Sequence, residues 1–204
     1  MWFSLWHPAT STTSSYAKIL GGAIGKQGEQ PAKTTTIAYR EHLGALWILD
    51  PVPGWSASNN PVKRLVQAPK HHLADPPLAA RLLDRNENTL LSARGRHLLG
   101  PLFESLATLT LRVAAEALRA KVFHLRTQGG EHEVDLIVEG ADGELLAVEI
   151  KLAQNIVDSD VKHLVWLREQ FPDRQVRLLA INTGARAYRR ADGVYVVPLS
   201  LLGL

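Results

Sequence analysis

Between positions 133 and 151 the chain alternates apolar and polar residues in two runs separated by a short glycine turn. In Glu133-Val134-Asp135-Leu136-Ile137-Val138-Glu139, the residues Val134, Leu136 and Val138 share one face while Asp135 takes the other, which is the period of a strand. In the run from Leu145 to Lys151 the apolar face is Leu146, Val148 and Ile150, and Ala147, Glu149 and Lys151 point the other way. Ala141-Asp142-Gly143 reads as a three-residue hairpin loop with Gly143 in the left-handed position. Such a loop pairs Gly140 with Glu144. Counting back along both strands then places Asp135 directly opposite Glu149, with β-carbons roughly 5 Å apart, and Lys151 diagonally beside Asp135. The pattern predicts a hairpin with one hydrophobic face and one face that carries two carboxylates and an ammonium.

The same periodicities organise the rest of the chain. A short helix is expected at 16–20, stopped by Gly21-Gly22, and a linker at Gly28-Glu29-Gln30-Pro31. A stronger helix follows, capped by Thr34 or Thr35, with Ile37, Tyr39, Leu43 and Leu46 supplying its buried face. The run from Leu49 to Trp55 is extended and punctuated by prolines. Lys70 to Ala74 reads as a short strand that sends His71 and His72 to opposite faces, so the pair cannot easily hold one metal and is read as structural. Pro77 to Leu83 reads as a helix.

The longest helix is expected from Leu98 to Leu118. Leu99, Leu102, Phe103, Leu106, Leu109, Val113 and Ala117 form its apolar stripe, and a second side of Gly100, Ala107, Leu111, Ala115 and Leu118 is also nearly free of charge. A helix so apolar is expected to be covered on both sides, and Glu104 on the second side is either partly enclosed or an edge residue. Strands follow at 122–127, in the hairpin, at 175–182 and at 193–198. A helix capped by Asp158-Ser159-Asp160 lies between the hairpin and the strand at 175–182. Helix, three strands, helix, strand and a terminal addition make an α/β domain with a mixed sheet.

Two carboxylates as close as Asp135 and Glu149 repel when both ionise, unless positive charge sits between or beside them. Lys151 and a divalent cation would both serve. Oxygen ligands without cysteine or a paired histidine suit Mg²⁺ or Mn²⁺ rather than zinc. The chemistry that uses such a cluster is hydrolysis at phosphorus, with Lys151 polarising water or stabilising the transition state. The same three side chains on an exposed strand face also describe a solvated ion-pair ladder, so the pattern alone leaves both open.

Composition narrows the classes without choosing among them. With 204 residues, 46% hydrophobic and 21% charged, the chain can bury a real core. It has no cysteine, which removes disulfides, thiolate metal sites and thiol catalysis and favours a cytoplasmic setting. The apolar start at Met1 to Trp6 lacks a basic lead and breaks at His7-Pro8, so no signal peptide is expected, and no other stretch is read as a membrane span. A net charge of +3 and a pI near 9.3 permit a nucleic-acid partner.

The element order, with Glu104, Asp135, Glu149 and Lys151, resembles the restriction-endonuclease-like fold of the PD-(D/E)XK nuclease superfamily. More closely, several stretches resemble the carboxy-terminal region of bacterial and archaeal AAA-type ATP-binding proteins, known as domain of unknown function 4143. They include Tyr39 to Leu43, Leu49 to Trp55, Ala68 to Asp75, Leu99 to Leu106, His124 to Thr127 and Glu131 to Glu139. The resemblance implies a winged-helix-like unit over 1–75, a junction over 76–94 and a nuclease-like domain over 95–204. It implies catalytic roles for Glu104, Asp135, Glu149 and Lys151, and Mg²⁺ (or Mn²⁺) held by Asp135, Glu149, the Ile150 carbonyl and Glu104. DNA and an ATPase module are the implied partners, with Arg126, Gln128 and His132 near enough in sequence to assist with phosphate. Val134 stands where the superfamily motif has proline. Gly21 to Gln27 lacks the first glycine and the final Ser or Thr of a phosphate-binding loop, so no ATPase module is expected within this chain. The alternative reading is a catalytically inactive nuclease-fold module that binds DNA or a protein partner.

Overall fold

Gly143 adopts a φ of +83°, and Gly140 N–H donates to the Glu144 carbonyl at 3.0 Å, closing the loop between two antiparallel strands. This hairpin lies within a computed structural model that describes residues 33–46, 48–57, 68–82, 84–93 and 95–203. The short helix expected at 16–20, the linker at 28–31 and the apolar start of the chain fall outside these residues. The chain divides into two units: Met1–Val52 with Ala68–Ser105, and Pro53–Gln67 with Leu106–Leu204.

In the first unit, helix α1 (Lys33–Ala45) precedes strand β1 (Leu49–Val52), which pairs antiparallel with β2 (Lys70–Leu73). Leu43, Leu49 and Val52 are buried, but Ile37 and Leu46 are exposed, so the buried face of α1 is narrower than its periodicity suggests. Two short helices follow, α2 (Pro76–Leu82) and α3 (Glu87–Leu91). Leu78 N–H donates to Asp75 Oδ1 before α2. A reciprocal cap opens α3, in which Thr89 N–H donates to Asn86 Oδ1 and Asn86 N–H donates to Thr89 Oγ1. At five residues α3 is too short to show a helical period, and only its cap announces it.

Helix α4 (Leu99–Ala117) belongs to the first unit up to Ser105 and to the second from Leu106. Its burial corrects the expected one. Ser105, Ala107, Thr108, Leu111 and Ala115 are buried, whereas Leu106 and Val113 of the predicted stripe are exposed. Both arcs are apolar in sequence, so periodicity could not choose between them. The buried arc holds the smaller side chains, which let a helix backbone approach its neighbours closely. The run Arg96–Ala117 is long and apolar enough to cross a membrane by length and composition, contrary to the expectation that no stretch is. One such helix is weak evidence of a membrane span, since the core helix of a soluble protein passes the same test.

The second unit is built on a six-stranded mixed sheet, in the order β3-β4-β5-β6-β8-β7. Strands β3 (Lys121–Arg126), β4 (Glu133–Glu139) and β5 (Leu145–Ile150) are antiparallel neighbours. Helix α5 (Asp158–Gln170) leads to β6 (Val176–Asn182), which is parallel to β5. Strand β8 (Tyr195–Pro198) continues parallel to β6, and the short β7 (Tyr188–Arg189), not anticipated from the sequence, pairs antiparallel with β8. A mixed α/β architecture is therefore present, with five α-helices among the described residues.

Val161, Leu164 and Leu167 of α5 join Val134, Ile137, Leu145, Ala147, Leu178 and Ala180 in one hydrophobic core. Leu136, Val148 and Ile181 are also buried, so the central strands β4, β5 and β6 are covered on both faces and the hairpin has no solvated side of the kind strict alternation implied. Helix α5 begins after Val157 rather than being capped by Asp158, and Asp160 Oδ2 reaches back to accept the Val157 N–H at 2.9 Å.

Candidate functional site

The pairing of β4 with β5 follows the predicted register, with Leu136 opposite Val148, Ile137 opposite Ala147 and Glu139 opposite Leu145. Against β3, however, β4 slips: Phe123 pairs with Ile137 but Leu125 pairs with Val134. His124 therefore faces two residues, Asp135 and Leu136, which is a β-bulge. The bulge explains why Val134 and Ile137, three residues apart, share one core although strict alternation would separate them. It also re-aims Asp135. Instead of a ladder pair with Glu149, Asp135 Oδ2 accepts the Ile150 backbone N–H at 2.8 Å, so its carboxylate is tied to the end of β5.

Glu149 is 6% exposed, and its Oε1 lies 2.7 Å from Lys151 Nζ. Burial works against the Lys151 ammonium. The charge of Glu149, the hydrogen bond to it and the charges of Asp135 and Asp160 outweigh that effect and hold its pKa above the ordinary 10.5. The structure thus gathers Asp135, Glu149, Ile150 and Lys151 at one end of β4 and β5, with Asp160 at the start of α5 acting on the same ammonium. Glu104 belongs to the first unit, where its Oε1 lies 2.5 Å from Lys70 Nζ. His72 Nδ1 lies 3.1 Å from Ser105 Oγ beside it.

Sequence reasoning passed over His163 and Trp166. His132 stacks on Trp166 with ring centroids 3.8 Å apart and nearly parallel planes, and its Nδ1 lies 3.2 Å from His163 Nδ1. His163 and Trp166 are three apart on α5, the spacing that puts two side chains on one face, but nothing in the sequence says that His132 packs there. Arg126 lies 3.6 Å from Glu133 Oε2, a largely exposed pair.

Chemically, the end of the hairpin offers two carboxylates, the Ile150 carbonyl and an ammonium. Among the described residues no three His, Cys, Asp or Glu side chains converge as a metal cage. A cation here would rely on the two carboxylates, a backbone carbonyl and water, a donor set that fits Mg²⁺, which keeps several waters and takes one or two carboxylates. It does not fit a closed structural zinc site.

The family model described as "Domain of unknown function (DUF4143)" matches residues 99–202, just over half of the chain. The chain belongs to this family. The match to DUF4143 covers α4, the whole mixed sheet and α5, and so all the candidate residues from Glu104 to Lys151. Curated protein sequences give no match. Among solved structures there is a likeness to a half-complex from a tetradecameric assembly of Thermococcus gammatolerans McrB AAA+ hexamers with bound McrC. The TM-score is 0.34 at 8% identity, covering 96% of this chain and 68% of that one. A likeness so distant decides nothing about the fold of this DUF4143 chain.

Proposed function

We propose that the mixed-sheet unit is a divalent-metal-dependent nuclease-like domain of the PD-(D/E)XK type, acting on DNA phosphodiesters and working with an AAA-type ATPase module. The observation that carries this reading is the Asp135 carboxylate held by the Ile150 N–H beside the Glu149–Lys151 pair. On this reading Asp135, Glu149 and Lys151 correspond to the acid, the second acid and the lysine of the superfamily motif. On this reading Mg²⁺, when bound by Asp135, Glu149 and the Ile150 carbonyl, supplies charge neutralisation at the phosphate. Lys151, held as an ammonium, orients the attacking water and stabilises negative charge developing on the phosphoryl oxygens. On the same reading, α1 with the β1–β2 ribbon forms the winged-helix-like part.

The test is metal-dependent cleavage of single-stranded, duplex and branched DNA by wild type and Asp135→Ala. Cleavage that needs Mg²⁺ and disappears in the variant is the expected result, and equal activity in both would overturn the nuclease reading. One observation favours the alternative of an inactive scaffold: Glu149 is already paired with Lys151 at 2.7 Å, a contact a cation must share or displace. Calorimetry with Mg²⁺ on wild type and Glu149→Gln separates the two. A cation bound by wild type alone supports the metal site, and none bound by either supports the scaffold.

A further inference from the structure

We propose that His132 and His163 form a two-nitrogen seat for a borderline transition-metal dication, with Zn²⁺ as the type, bridging the approach to β4 and the helix α5. The proposal stands apart from the carboxylate site: it uses nitrogen rather than oxygen donors and does not depend on the nuclease reading.

The geometry is close to that of a bound pair. The two Nδ1 atoms are 3.2 Å apart. Two imidazole nitrogens about 2.0–2.1 Å from one zinc, at a tetrahedral angle, lie roughly 3.3–3.4 Å apart. A shift of a tenth or two of an ångström matches that spacing, and each ring must also turn by roughly 35° so that its lone pair leaves the Nδ1–Nδ1 line for a shared metal position. Imidazole suits zinc, nickel and copper, whereas Mg²⁺ prefers oxygen.

Both rings are held in advance. His132 lies flat on Trp166, and its backbone N–H donates to Thr127 Oγ1 at 3.0 Å while its carbonyl accepts the Thr127 N–H at 2.9 Å. Those two bonds close the loop through Gly129 and Gly130, both with positive φ. His163 projects from the helix that also presents Trp166, so one packed unit fixes the spacing of the two ligands.

The local charge favours the neutral form of His163. Burial, then Lys162, His132 and Lys151, lower the pKa of His163 below the ordinary 6.5, with Glu133 opposing them. A neutral ring with a free lone pair is what metal binding needs. The lysines oppose a dication, but Glu133 acts on His163 and Asp135, Glu149 and Asp160 act on Lys151, so the surroundings are of mixed sign. Two protein ligands leave the remaining positions to water or to an incoming anion.

The experiment is calorimetry and thermal unfolding of the full chain with ZnCl₂ and with MgCl₂, for wild type, His163→Ala and Glu149→Gln. Wild type and Glu149→Gln are expected to take up one Zn²⁺ and to be stabilised by it in the presence of excess Mg²⁺. His163→Ala should bind at least tenfold more weakly. Zinc binding unchanged by His163→Ala, or lost in Glu149→Gln and kept in His163→Ala, or absent from wild type, overturns the proposal. If His163→Ala does not fold, nitrogen chemical shifts of wild type decide: zinc should move Nδ1 of His132 and His163, and movement confined to other histidines refutes the seat.

Discussion

Lys70 Nζ lies 2.5 Å from Glu104 Oε1, and the lysine is only 2% exposed. Lys70 and His72 occupy one face of β2, two residues apart, and meet the adjacent residues Glu104 and Ser105 of α4. A buried ammonium is costly unless it is paired, so this strand needs the carboxylate as much as the carboxylate needs the strand.

Removing one partner should therefore hurt more than removing both. Lys70→Met is expected to cost about 3–5 kcal/mol, because it removes the ammonium that faces the Glu104 carboxylate in a largely buried position. The double variant Lys70→Met, Glu104→Gln should recover much of that loss. Urea unfolding of the two single variants and the double variant gives the coupling, and simple additivity would show the pair to be inconsequential.

The bond from Ile150 N–H to Asp135 Oδ2 makes a different prediction. Asp135→Ala leaves a buried backbone donor without this acceptor and should cost about 1–3 kcal/mol, whereas Asp135→Asn keeps an acceptor oxygen and should cost less. Hydrogen exchange at the Ile150 amide reports it directly. Exchange should quicken in the alanine variant and stay slow in the asparagine variant.

Lys151 titrates with a pKa raised above its unfolded value of 10.5. Its contribution to stability is then fully present below that value and is lost as pH rises through the folded one. The stability difference between wild type and Lys151→Met, measured in chelator, should stay level from about pH 7 to about pH 10 and shrink beyond. The side chain is over a third exposed, so the difference should be small and should fall with added salt.

Gly143 tests the hairpin itself. A Cβ there would meet nothing within 4 Å, so substitution costs only the left-handed backbone. Gly143→Ala should destabilise the domain by about 1–2 kcal/mol, and Gly143→Asn, whose side chain tolerates that conformation, by less. Thermal unfolding distinguishes them. Equal losses would mean that the loop does not depend on the left-handed residue.

Much of this was legible in the chain. The hairpin register followed from a loop length and one glycine, since a three-residue loop leaves a single way to pair the flanking strands. Strands β3, β4, β5, β6 and β8 and the helices at 99–117 and 158–170 declared their periods, because each is long enough to show one, whereas the two-residue β7 is not. Asp135, Glu149 and Lys151 could be named because they lie on two strands joined by that loop. His163 and Trp166 could not, since their meeting with His132 joins segments some thirty residues apart, and no local rule links them.

What the sequence determined by itself is local: periods, turns and the pairing of adjacent strands, where a few dihedral angles and the alternation of side chains decide the outcome. Only the tertiary structure decided which apolar arc of α4 is buried, that a bulge opposite His124 turns Asp135 toward the Ile150 N–H, and that Lys70 meets Glu104. These depend on how closely distant surfaces approach and on where a buried charge or backbone donor finds its partner. That information is carried by the packed whole, because the cost of an unpaired polar group exists only once water has been excluded.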